Sequence, residues 1–242
     1  MELCHIWIWK LRLSIYWKRG KIKLNRPEAK IRRPQLLCII GCEGINQEKL
    51  YFAKVQDLIN GIEPRTHDLL FDFAEPFGGD PKCVVQRVVT KSIGKQNKGA
   101  VFDYDGKQAK YEEAIDLAME NQITLGYTNY CFDLWLILHK EDYFSSVNSQ
   151  DDYVAKLRQV YGLRRDANIK KKEQVELILK QIDIEDIKAA IVRADFIASN
   201  NLKKEANKTP QKHEYYDNPD TKIHNMLRSI FHKVGVEKAF GL

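Results

Sequence analysis

A chain of 242 residues with 44% apolar and 30% charged side chains has the length for a full core and the composition of a globular soluble protein. Five cysteines (Cys4, Cys38, Cys42, Cys83, Cys131) form an odd set without a CxxC pair, which excludes a disulfide framework or structural zinc as an organising device and fits a reducing cytoplasm. The formal net charge of +6 is uneven: residues 1–33 hold ten Lys or Arg and two Glu, a local +8, so the remainder sums to −2.

The chain opens on LCHIWIWKLRLSIYW, apolar and rich in Trp and Ile. Lys10 and Arg12 interrupt it, and it falls short of the roughly 20 residues of a membrane span. It also lacks the charge order and cleavage site of a signal peptide. An amphipathic strand or helix packing on the core or a partner is expected, and no membrane segment. The basic residues of this arm, Lys18, Arg19, Lys21, Arg32 and Arg33 among them, are candidate contacts to a polyanion. The alternative is a solvated segment that aids solubility.

From Pro34 onward, short apolar runs alternate with helical patterns, which predicts an α/β fold with a mainly parallel sheet flanked by helices. Leu36–Cys42 reads as a strand and Glu48–Asn60 as a helix, its apolar face set by Leu50, Phe52, Ala53, Val55, Leu58 and Ile59. His67–Phe73 is a second strand, followed by the turn-rich EPFGGDP, where Gly78, Gly79 and Asp80 lead into a helix at Pro81. A third strand ends at Asp103, a helix over Tyr111–Glu120 follows, and Ile123–Thr128 is a fourth strand. Asn129 then precedes a strongly apolar helix ending at Leu138. Beyond the loop Tyr143–Ser149 the text turns helical: Asp152–Tyr161, Glu173–Lys180 and Ile184–Ser199. Asn201–Asp220 reads as a loop before a last helix capped by Asp220 or Thr221. The expected domains are the arm (1–33), the α/β core (34–145) and a helical C-terminal region (146–242).

Two acidic clusters follow apolar runs. Glu43 and Glu48 lie just past the first strand, and Asp103 and Asp105 past the third. Residues two apart on an extended backbone project to one side, and the carboxyl ends of parallel strands share one edge. Acids converging there repel one another unless a cation sits among them, and magnesium favours such oxygen ligands. Alternatively DYDG is an ordinary surface turn.

A strand ending in Glu-Gly and a later strand ending in Asp-x-Asp resembles the TOPRIM fold of topoisomerases, primases and several nucleases. More specifically, CEGINQEKLYF, EPFGGDP, VFDYDG, TNYCFDLWLILH and NPDTKIHNML, in that order, are similar to the signature of the RloB-like family of bacterial restriction and abortive-infection loci. The resemblance runs from about Leu36 to Leu227. Gln47 stands where the family usually has Thr, Tyr130 where it has Pro, and Asp133 where it has Glu. The resemblance implies a TOPRIM-like core and a metal-dependent phosphodiesterase, with Mg2+ (or Mn2+) held by Glu43, Asp103 and Asp105 and with Glu48 as an additional ligand or support. Asn129 and Asp133 either complete the site or serve as helix caps. Lys107 either steadies a phosphate or is a solvated turn lysine.

Arg164, Arg165 and the run Lys170–Lys172 either touch phosphates outside the cleft or face water. His139 and His224 read as satisfied partners within the fold. The implied substrate is nucleic acid, RNA (tRNA included) ahead of DNA, cut during anti-phage defence in the bacterial cytoplasm. The resemblance implies, through the family's genomic setting, an ATPase partner; no P-loop pattern occurs here, so any ATP use would belong to that partner. The alternative is a regulatory or sensor subunit that binds metal or nucleic acid without cleaving.

Overall fold

Eight residues, Gln35–Cys42, form the strand against which the sheet is assembled. The computed structural model describes residues 33–104, 108–205 and 218–241, so Lys18, Arg19, Lys21, Arg32, Asp105 and Lys107 lie outside the described residues. In chain order the elements are β1 (Gln35–Cys42), α1 (Gln47–Asn60), β2 (Asp68–Phe73), α2 (Pro81–Lys91), β3 (Lys98–Val101), β4 (Asp103–Tyr104), α3 (Gln108–Glu120), β5 (Thr124–Leu125), β6 (Thr128–Asn129), α4 (Asp133–Leu138), α5 (Gln150–Val160), α6 (Lys172–Leu179), α7 (Ile184–Glu205) and α8 (Ile223–Val234), closed by a short 3-10 turn.

The fold is α/β, with a parallel sheet of order β2-β1-β3-β5 flanked by helices. β1 pairs in parallel with β2 on one side (Leu37 opposite Leu70) and with β3 on the other (Cys42 opposite Val101). A second parallel pair, β4 and β6, prolongs the β3–β5 ladder through the bonds Gly126 N–H to Ala100 O, Thr128 N–H to Phe102 O and Tyr130 N–H to Tyr104 O. Strand alternation decides which core each residue joins. Cys38, Ile40 and Cys42 point to one face, with Tyr51, Phe52 and Val55 of α1. Ile39 points to the other, with Val84, Val85 and Val88 of α2 and Ala114, Ile115 and Ala118 of α3. Both faces of β1 are therefore dry, which explains its unbroken apolar text.

The first of these cores continues into the C-terminal helices. Tyr153, Leu157, Val175, Ile178, Ile187, Ile191, Leu227 and Phe231 belong to the same buried cluster as the α1 face of β1. Helix α4, DLWLIL, is buried on every side, as expected of a helix apolar on every face beyond its first residue, Asp133. Residues 33–242 form one compact unit, and among the described residues no helix is long and apolar enough to cross a membrane.

Several predicted boundaries shift, each for a local reason. The fourth strand is two short pieces, β5 and β6, separated by Gly126 and Tyr127. Helix α7 runs on to Glu205 over part of the expected loop, because buried Asn201 is satisfied by a tertiary bond from its Nδ2 to Pro219 O at 2.9 Å. Helix α5 begins at Gln150, where the Asp152 carboxylate accepts from the Asn148 and Ser149 N–H groups. The residue preceding α8 is Lys222, and Thr221 supports that end from one position further out, accepting from Ile223 N at 3.4 Å. The Asp80 cap of α2 is as expected: its Oδ1 accepts from Cys83 N at 3.0 Å with Pro81 in the first turn.

Candidate functional site

The chain runs from β1 through α1 to β2 on one side of β1, then crosses to β3 on the other. The carboxyl ends of β1 and β3 thus flank the point where strand order reverses, the place where open α/β sheets hold their ligands. Glu43 lies there, just past β1. Its N–H donates to Val101 O at 3.1 Å, its carbonyl accepts from Gly78 N at 2.9 Å, and its Oε2 accepts from Asp103 N at 3.2 Å. Three bonds from three segments fix this one residue. The bond to Gly78 brings in the glycine loop, whose Gly78 and Gly79 hold φ of 86° and 89°, a region that favours glycine.

Glu48 folds back over the same corner from the first turn of α1. It is 4% exposed, and its Oε1 accepts from Gly44 N at 3.2 Å. A Cβ on Gly44 would sit 1.8 Å from Glu48 Oε2, so a glycine is required for this carboxylate to lie where it does. Asp103, opening β4, presents a buried Oδ1 that meets no hydrogen-bond partner. Burial pushes the Asp103 carboxyl well above the ordinary range, with Glu48 and Glu43 adding to the rise. Glu48 is raised too, by burial first, with backbone N–H groups and Lys170 opposing. These acids share a cleft of about 380 Å3 whose other walls include Ile45, Gly78 and Lys170. A neighbouring cleft of about 520 Å3 shares Glu43, Ile45 and Gly78 with it and adds Phe77 and Lys49, whose ammonium lies 4.6 Å from the Phe77 ring centre.

Asp133 and Asn129 sit behind this corner. Asn129 ends β6, 2% exposed, with its N–H donating to Asp220 O at 2.9 Å. It does not cap α4: Phe132 occupies that position, without a side-chain cap. Asp133 is wholly buried in the first turn of α4. Its Oδ1 accepts from Gln47 Nε2 at 2.6 Å and its Oδ2 from the Cys131 thiol at 3.5 Å. Burial raises its carboxyl, with Lys170 and the Gln47 bond opposing.

The remaining candidates are placed elsewhere or otherwise engaged. Arg33 pairs with Glu63 at 2.7 Å and donates to Arg65 O. Arg164 pairs with Asp166 at 2.7 Å between two exposed side chains, and Arg165 is exposed. His139 is 1% exposed. Its Nδ1–H donates to Trp135 O at 2.8 Å, so Nε2 accepts from the Tyr51 hydroxyl at 3.1 Å. Burial holds it down to about 4, which marks a neutral histidine satisfied by the fold. His224, 2% exposed and 3.7 Å from Asp195, is likewise held to about 4 by burial.

Among the described residues no group of three His, Cys, Asp or Glu side chains is arranged to hold a metal ion. The described residues do supply Glu43 and Asp103, the latter with an orphaned carboxylate oxygen. One or two carboxylates completed by water is the set magnesium commonly takes, so the pair fits such an ion. Gly44→Ala is expected to push the Glu48 carboxylate out of the corner while changing unfolding free energy by only about 1 kcal/mol, because the atom it strikes is the free end of a side chain. Urea unfolding together with Mn2+ titration checks this; Mn2+ affinity equal to wild type would remove Glu48 from the ion's surroundings.

Two residues of this corner are not assigned to it by the sequence. Lys170 belongs to a lysine run read either as phosphate contacts outside the cleft or as a water-facing surface, yet it lines the cleft, and its carbonyl accepts from Asn46 Nδ2 at 2.8 Å across 124 positions. Gln47 stands out only as a departure from the family pattern, and its role becomes visible through Asp133, 86 positions away.

No curated protein and no solved structure matches the chain. The family model described as RloB-like protein matches residues 38–230, a span running from β1 to α8 and taking in every described side chain of the corner. The chain belongs to the RloB-like family.

Proposed function

We propose that the chain is a metal-dependent nuclease that cleaves phosphodiester bonds as an effector of bacterial anti-phage defence, with RNA, tRNA included, ahead of DNA as substrate. The observation that carries this reading is the buried, orphaned Oδ1 of Asp103, a residue that lines a cleft with Glu43 and Glu48 where strand order reverses. Family membership supports the defence setting. Glu43 and Asp103 would hold Mg2+ or Mn2+, with Asp105 as a further ligand. Such an ion, when bound, supplies positive charge to offset what develops on the phosphate oxygens. Glu43 is held rigid for this work by its three bonds, so little reorganisation is needed when charge develops. Ile45, 58% exposed beside the acids, together with Phe77, gives the adjoining cleft an apolar wall.

The test is incubation of purified protein with tRNA, single-stranded DNA and plasmid in Mg2+ or Mn2+, beside an Asp103→Ala Asp105→Ala variant. Cleavage by the wild type alone is expected. Cleavage that survives in the variant would place the chemistry elsewhere. A second reading, a regulatory or sensor subunit of an ATPase-containing complex, draws support from Lys170, a basic residue that lines the cleft with the acids. Absence of cleavage by the wild type even with the ATPase of the same locus present would favour it.

A further inference from the structure

Lys170 lies in the turn that leads into α6, and the turn is anchored on several sides. Ile169 is 3% exposed, packed in the larger core. Arg158 donates to Ala167 O from Nε and Nη2 at 3.0 and 2.8 Å, and Lys170 N–H donates to Asn168 Oδ1 at 3.0 Å. Asn46 then ties the Lys170 carbonyl to the segment between Glu43 and Glu48. The lysine is thus delivered to the acidic corner by a fixed backbone, while solvent still reaches its side chain.

Its charge bears on three of the acids around it, Glu48, Asp103 and Asp133. On the wall of the cleft, its positive charge favours the ionised forms of Glu48, Asp103 and Asp133. Partial burial pulls the Lys170 ammonium down, but Asp133, Asp103 and Glu48 outweigh it and leave it raised. Asn46, which holds the Lys170 carbonyl, and Lys170 both line the cleft with Glu43 and Asp103.

We propose that Lys170 is a tethered counter-charge of the acidic corner, filling electrostatically the place of a divalent cation, so that seating of the Lys170 turn and binding of the ion oppose one another. The proposal rests on the metal reading above and adds its regulation: occupancy of the acids is linked to a turn of the C-terminal helical region. A partner that draws the turn outward favours the ion, and one that presses it inward excludes it. Because Lys170 is exposed, this opposition weakens as salt rises.

Calorimetric titration with Mn2+ tests it, on wild type, Lys170→Met, Lys170→Gln and Lys170→Arg, each first checked for a wild-type-like thermal transition. The two neutral variants should bind Mn2+ about tenfold more tightly at low ionic strength, the scale of one unit charge acting across a partly solvated cleft. The gain should shrink at high salt, and Lys170→Arg should stay near wild type. Hydrogen exchange of amides 168–171 in the wild type should quicken when Mn2+ is added. Equal or weaker Mn2+ binding by both neutral variants, or exchange unchanged by Mn2+, overturns the role of Lys170 and leaves the metal reading standing. Absence of Mn2+ binding by wild type and all variants overturns both. Binding by the neutral variants alone supports the proposal in its strongest form. Lys170→Gln keeps the test decisive should Lys170→Met fail to fold.

Discussion

Asp103→Asn is expected to melt higher than the wild type in EDTA at neutral pH, by about 1–2 kcal/mol of unfolding free energy, while cleavage falls on the order of 10²–10³-fold. The stabilisation follows from what surrounds the carboxylate. Its Oδ1 is buried without a donor, and burial, Glu48 and Glu43 all disfavour its charge. The folded chain therefore holds the Asp103 proton more tightly than the unfolded chain does, so ionisation at neutral pH weakens the fold. That loss begins as pH rises past the ordinary aspartate value and grows until the raised folded value is passed. The neutral amide escapes it, so the advantage of Asp103→Asn should be large at pH 7.5 and should shrink toward pH 4. A divalent ion reverses the ranking: at a hundred times its Kd it stabilises the wild type by about 2.7 kcal/mol, and the variant by much less. Thermal melts of both proteins at two pH values, with and without Mn2+, check the whole set. An amide variant that melts below the wild type in EDTA would show that the corner is not strained by its charges.

The fold was legible where a residue's partner is dictated by periodicity. The two-residue alternation of Cys38 to Cys42 and the spacing of Val84, Val85 and Val88 are consequences of strand and helix geometry alone, and they sufficed to order β1, α1, β2, α2 and β3. Boundaries set by distant contacts were not legible. Asn201 reads as loop text and is helical because Pro219 O lies within reach, whereas the strand end at Asn129 is legible but its backbone bond to Asp220 is not. The corner divides in the same way. Glu43, Glu48 and Asp103 announce themselves because strand ends and a glycine must converge there. Lys170 does not, since nothing local separates it from Lys171 and Lys172; only the Asn46 bond and the fixed turn select it. Arg164 shows the converse, a basic residue that looks suited to phosphate and is paired with Asp166.

Gln47 and Asp133, two positions beside the corner where the sequence departs from the signature it resembles, are joined by one contact, and a double-mutant cycle should reveal it. Gln47, where the resemblance would place Thr, donates at 2.6 Å to Asp133, where it would place Glu. A longer amide on α1 reaches a shorter acid on α4, and both are buried, at 3% and 0% exposure. Gln47→Thr alone withdraws the strong donor and leaves Asp133 only the weak Cys131 thiol at 3.5 Å, a loss expected to cost about 3 kcal/mol. Asp133→Glu alone forces a further methylene against Gln47 at a fully buried position, which costs about 1–3 kcal/mol. Made together, the substitutions restore the span between the helices, with the extra methylene now on the acid. The double variant should therefore be well above the sum of its parents, with a coupling energy of about 1.5–3 kcal/mol. Urea unfolding of the four proteins in EDTA measures this directly. Strict additivity would mean that α1 and α4 do not need this bond to stay in register, and that Asp133 is held in the first turn of α4 by packing alone. A large coupling would mean that the pair fixes the distance between Glu48, one residue along α1 from Gln47, and the β6 end that precedes Asp133. Through that distance a buried polar contact at the cleft wall, where Gln47 lies beside Glu48, would govern how closely the acids of the cleft approach one another.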